Sequence, residues 1–160
     1  MTEQERYRIG LDALRSPITD DEWTIRRSKF ESWRTLPSSP SSDPYPSEAR
    51  PIDDEFGWYL FNIETTLQDP YALDPDEAAR ILPIVSGLAS RWHLARRVDG
   101  LQEKLKELAG PRRMTPDSAL FEIAVALAYA EIGFDVSLIP EEPGVRKTPD
   151  LVIRKGDIKV

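Results

Sequence analysis

The hydrophobic period of this chain changes once, at Gly133, and that change decides what the chain can fold into. From Ala119 to Ile132 apolar residues follow one another almost without a break. A helix built from them is apolar nearly all round and needs cover on most sides. After Gly133, Phe134, Val136 and Leu138 alternate with Asp135, Ser137 and Ile139, the two-residue period of a strand. Thr115-Pro116-Asp117-Ser118 gives the helix its start, a cap followed by proline at the first helical position. Gly133 gives it its stop.

A second strand follows, Asp150-Leu151-Val152-Ile153, then a turn, Arg154-Lys155-Gly156-Asp157, then a returning strand, Ile158-Lys159-Val160. A two-residue turn centred on Lys155-Gly156 pairs Ile153 with Ile158 and Leu151 with Val160. Those four side chains share the apolar face. Asp150 lies on the other face, with positions 161 and 163. A half-built sheet of this kind needs its apolar face covered, by the 116–132 helix or by self-association.

The first half of the chain reads as helical. Thr19-Asp20-Asp21-Glu22 opens a helix that carries Trp23, Phe30 and Trp33 on one face. Residues 37–51 are rich in proline and serine and read as a linker or extended loop. Asp53-Asp54-Glu55 opens a second helix with the stripe Phe56, Tyr59, Leu60, Ile63 and Leu67. Asp74-Pro75-Asp76-Glu77 opens a third, with Ala78, Ile81, Leu82, Val85 and Leu88 on its buried face and a kink expected at Pro83. A fourth runs from Leu101 to Ala109 and stops at Gly110-Pro111. The fold class is therefore mixed, α+β or α/β. It divides into a helical region over 1–112 and a smaller α/β unit over 113–160.

Composition narrows the function classes. No apolar run is long enough to span a membrane, and the polar N-terminus Met1-Thr2-Glu3-Gln4-Glu5-Arg6 is no signal peptide. With no cysteine and only one histidine, His93, thiolate chemistry, a zinc centre and a Ser-His-Asp arrangement have no support, and the reducing cytoplasm is the simplest compartment. The formal charge of −7 is unlike that of a protein living on phosphate contacts, unless a local basic surface exists. Arg26 and Arg27 among the aromatics of one helix, and Arg96, Arg97, Arg112 and Arg113 further on, are the residues able to make one.

The stretch from 115 to 160 resembles the restriction-endonuclease-like superfamily, named for its PD-(D/E)xK motif. The matching features are a helix carrying Glu122, a strand over Phe134 to Ile139, and Pro149-Asp150 opening the next strand. The resemblance implies the first helix and three strands of that core, truncated at Val160. It implies catalytic and metal-binding roles for Asp150 and Glu122, with Mg²⁺ as cofactor. The family's third-strand acid and lysine would fall at about 161 and 163. Asp157-Ile158-Lys159 matches the triplet literally, but on the expected register Asp157 sits at the turn, roughly 10 Å along the strands from Asp150. The implied function is the N-terminal portion of a Mg²⁺-dependent nuclease, a hydrolase of phosphodiester bonds in nucleic acid, DNA rather than RNA, inactive as 160 residues. The alternative is a non-catalytic helical interaction or regulatory module with a degenerate nuclease-like core.

Overall fold

The computed structural model describes residues 1–34, 53–72, 75–110, 116–139, 150–155 and 158–159. The expected Pro/Ser-rich linker, the helix cap at Asp74, and Arg112 and Arg113 lie outside them. The fold is mixed α+β and mostly helical.

Helix α1 (Glu3–Arg15) starts at a capping box: the Glu5 N–H donates to the Thr2 side chain, and the Thr2 N–H donates to the Glu5 carboxylate. Sequence reading passed over this helix, although Thr2 and Glu5 stand at the box spacing and Leu11 and Leu14 provide a buried face. Helix α2 (Asp20–Arg34) buries Trp23 and Phe30 on the expected face, and the Glu22 N–H donates to the Thr19 hydroxyl at its start. Helix α3 (Glu55–Gln68) is capped by Asp54, whose carboxylate accepts from the Gly57 N–H at 2.9 Å. Its expected stripe is in the core, but Phe61, Asn62, Thr65 and Thr66 are buried too. It packs against α1, α2 and two of the helices that follow it. Helix α4 (Pro75–Arg91) carries Pro83 inside a continuous helical span and buries Ile81, Val85 and Leu88. It crosses α1 closely. A Cβ on Gly10 would lie 2.4 Å from the Val85 Cγ1.

After α4 a 3₁₀ turn (Trp92–Arg97) leads into β1 (Val98–Asp99), then helix α5 (Leu101–Ala109) and helix α6 (Pro116–Glu131). Strands β2 (Asp135–Leu138), β3 (Leu151–Lys155) and β4 (Ile158–Lys159) complete one sheet in the order β1-β2-β3-β4. β1 runs parallel to β2, and β2, β3 and β4 form an antiparallel meander. Strand β2 falls where the alternating period placed it, and β3 continues through Arg154 and Lys155, which were expected to belong to the turn. β1 was not foreseen, since two residues leave no periodic signal. It joins the sheet from the N-terminal side of residue 112, and one buried cluster runs from Leu14 through Val85 and Leu105 to Ile123 and Ile153.

Two expectations are corrected. The β3–β4 pairing is Arg154 with Lys159 and Lys155 with Ile158, not Ile153 with Ile158. The offset is two residues, and a hydrophobic pattern of period two does not tell such registers apart. Helix α6 is also less enclosed than its composition suggests. Phe121 is 69% exposed and Ile132 60% exposed. Phe121 lies on the solvent side of α6, and Ile132 in the turn just past its end. The opposite stripe, Ala119, Ile123, Ala126, Leu127 and Ala130, is fully buried. Val136, Leu138 and Ile153 share this core and half-buried Leu151 packs against it, so this part of the sheet's apolar face is covered from within the chain.

Candidate functional site

The end of α6 sets the geometry of the site. Gly133 has φ +89°, the left-handed conformation glycine adopts without strain. The Phe134 N–H donates to the Tyr129 carbonyl and the Gly133 N–H to the Ala130 carbonyl, the two bonds of a Schellman turn. The Tyr129 and Phe134 rings meet edge to face with centroids 5.6 Å apart, adding the apolar contact of that motif. The chain therefore reverses at once, and β2 runs back along α6. Glu122 lies nine residues before the end of α6, about 14 Å along the helix. Ile139 lies four residues into the returning strand, about 13 Å along it. The Ile139 N–H donates to the Asp150 carbonyl at 3.0 Å. Asp150 thus stands at the end of the β2–β3 ladder remote from Gly133.

Glu122 and Asp150 do not share a face or a partner. Alternation along β3 sets Asp150 with Val152, opposite the Leu151 and Ile153 side that joins the core under α6. Asp150 is exposed. Glu122 is held from the other side: the Lys104 Nζ lies 2.5 Å from its Oε2. Lys104 is 4% exposed and Glu122 24%. The Oε2 atom is buried and lacks hydrogen-bond geometry to any partner, so the contact is a charge pair. Since Oε2 is closed off, the accessible part of Glu122 lies on the rest of the side chain. Lys104 occupies a core position of α5, and Glu122 stands at the edge of the buried stripe of α6. Lys104 falls on the stripe Leu101, Leu105 and Leu108, and Glu122 beside the stripe Ala119, Ile123 and Ala126.

The basic residues divide. Arg26 donates to Glu22, to Asp54 at 3.4 Å and to the Ala109 carbonyl at 2.6 Å. Arg27 donates to Glu31 at 2.9 Å and to Glu64 at 3.3 Å. Both are committed inside the molecule, each binding acids on its own helix and on α3 or its cap. Arg96 and Arg97 are exposed on the 3₁₀ turn, beside exposed His93. A second polar network fastens α3, α4 and α6: Arg80 reaches Glu55 at 2.8 Å and Asp117 at 3.4 Å, and its guanidinium lies 5.0 Å from the centre of the Tyr59 ring.

The residues present do not by themselves fit a Mg²⁺ ion. Among the described residues no three His, Asp or Glu side chains converge as a metal set, and an ion that keeps near-octahedral oxygen coordination needs more than one exposed carboxylate. No described helix is long and apolar enough to cross a membrane. No protein-family model matches the chain, and no curated protein or solved structure does.

Proposed function

We propose that residues 116–160 are the leading part of a restriction-endonuclease-like phosphodiesterase core, working on nucleic acid in a reducing cytoplasm, with Asp150 as its first metal ligand. The observation that supports this is the order and direction of elements. A helix carrying a mid-helix glutamate reverses into an antiparallel meander, and an exposed aspartate opens the middle strand. The acid and lysine that would complete the site belong on the continuation of β4 in this reading, so no catalytic step is assigned to the 160 residues. Of the four arginines Arg26, Arg27, Arg96 and Arg97, the last two are exposed and available to a phosphate backbone, whereas Arg26 and Arg27 serve the helical packing. Mn²⁺ titration of the isotopically labelled chain tests the reading. The Asp150 and Leu151 amide signals broaden at millimolar Mn²⁺, and Asp150→Asn abolishes the effect. Equal behaviour of wild type and Asp150→Asn overturns it.

A second reading is favoured by the Lys104–Glu122 pair. A glutamate neutralised by a buried lysine serves packing, and a helical interaction module with a nuclease-like but inert sheet needs nothing more. This reading expects Mn²⁺ to leave Asp150 and Leu151 untouched.

A further inference from the structure

The Gly133 end of the sheet gathers cations that hold no acid. Arg96 and Arg97 are exposed at the end of the 3₁₀ turn, and Arg154 and Lys155 are exposed at the end of β3. The strand pairing brings these two dipeptides together. Arg97 and Asp135 each stand one residue before the parallel pair Val98–Val136, and Asp135 is the antiparallel partner of Arg154. At about 4.8 Å per strand, the Arg97 and Arg154 backbones are roughly 10 Å apart. None of the four cations is in an ion pair among the described residues. Lys155 lies over the Phe134 ring, 5.1 Å from its centre. Three acids stand near. Asp135 is exposed between the arginines, Asp99 lies two residues beyond Arg97, and Glu131 is already held by Arg91 at 2.8 Å. This end of the sheet is therefore locally positive in a chain of formal charge −7.

The same strand joins this positive end to Asp150. Arg154 and Asp150 are four residues apart, so alternation sets them on one face, about 13 Å from each other. At about 3.4 Å per phosphate along one strand of a duplex, that span covers roughly four phosphates. We propose that the Gly133 end of the sheet seats the phosphate backbone of a nucleic acid, with Arg97 and Arg154 as its principal contacts. Arg96 and Lys155 flank them. A guanidinium suits the task, because its planar fork meets a phosphate with two parallel N–H bonds and is weakly hydrated. Contacts of this kind place the strand without reading its bases. The inference rests on the phosphodiesterase reading for the choice of nucleic acid over other polyanions, and for the course of the strand from Arg154 toward Asp150.

The experiment is fluorescence anisotropy of a labelled DNA duplex of mixed sequence, titrated with the full 160-residue chain at a series of NaCl concentrations. Arg97→Gln with Arg154→Gln weakens binding about tenfold and lowers the slope of log K against log salt by about 2, close to 0.9 for each lost phosphate contact. Lys29→Gln with Lys106→Gln removes the same charge from exposed positions on α2 and α5 and leaves the slope unchanged. Polyglutamate at equal charge concentration leaves the DNA bound. Equal binding by wild type and the arginine variant, no binding by wild type at the lowest salt, or equal displacement by polyglutamate rejects the proposal. Mn²⁺ broadening at Asp150 and Leu151 is read on the same samples. DNA binding without broadening rejects the phosphodiesterase reading and keeps the surface, whereas broadening without DNA binding rejects the surface alone.

Discussion

Arg26 donates to the main-chain carbonyl of Ala109 at 2.6 Å, across 83 residues of sequence. The same guanidinium holds Glu22 on its own helix and Asp54, the cap of α3. One side chain therefore ties α2, the start of α3 and the C-terminus of α5, where a cation also complements the helix dipole. Arg26→Ala is expected to lose about 1.5–3 kcal/mol, the range for hydrogen bonds to charged groups. Arg26→Lys recovers only part, because an ammonium lacks the planar fork. Urea denaturation with a common m-value checks both.

Removing one member of the Lys104–Glu122 pair strands the other. Lys104→Met is expected to cost about 3–5 kcal/mol, and Lys104→Met with Glu122→Leu to return close to wild type. A double-mutant cycle by chemical denaturation measures the coupling, and simple additivity of the two single changes would contradict it.

Gly100 tolerates no side chain. It sits at φ +76° before α5, and a Cβ there would lie 2.3 Å from the Leu138 carbonyl oxygen. That oxygen is main chain on the adjacent strand and cannot swing aside. Gly100→Ala combines left-handed strain with overpacking, for an expected loss of about 2–5 kcal/mol. Gly133→Ala meets open space and should lose only the strain, about 1–2 kcal/mol. Thermal unfolding of the two variants side by side gives the order.

Tyr7 should titrate late. Partial burial, and then its hydrogen bond to Glu3 at 2.8 Å, push its hydroxyl up to about 12 from the usual 10. The protonated phenol is favoured in the folded state. Its contribution to stability is thus fully present below pH 10 and is lost as pH climbs from 10 through about 12. The 295 nm absorbance titration of wild type minus Tyr7→Phe should show one phenol ionising near 12, and ionisation near 10 would sink the assignment.

On the phosphodiesterase reading the 160-residue chain is expected not to cleave DNA or RNA in Mg²⁺, since one exposed carboxylate, Asp150, is too few for an ion that keeps near-octahedral oxygen coordination. Robust cleavage by the purified chain, lost in Asp150→Ala, would show that the site is complete without a continuation of β4.

What could be read in advance followed from periodicity and punctuation. Thr19, Asp54 and Gly133 each mark an element end in sequence and in structure, because caps and left-handed stops are local chemistry. β1 escaped because a strand of two residues is defined by its neighbour β2 rather than by its own pattern. The β3–β4 register escaped because offsets of two are equivalent to the hydrophobic pattern. Asp150 and Glu122 were visible as residue types. The partner of Glu122 was not legible, because Lys104 stands in the charge-rich run Glu103-Lys104-Leu105-Lys106-Glu107 and only the folded helix sets it with Leu101, Leu105 and Leu108.

The abrupt reversal at Gly133 also has a kinetic meaning. It makes the contacts of α6 with β2 local in the chain, so α6, β2 and β3 can assemble with short loops to close. β1 is different. Val98 meets Val136 only after the intervening α5 and α6 are in place, a closure of roughly 40 residues whose entropy must be met before the parallel pair repays it. β1 is therefore expected to dock last, on a nucleus already formed by the C-terminal half. Val98→Ala should speed unfolding while leaving the folding rate nearly unchanged, and Ile123→Val should slow folding. The opposite pattern would place the nucleus in the N-terminal helices.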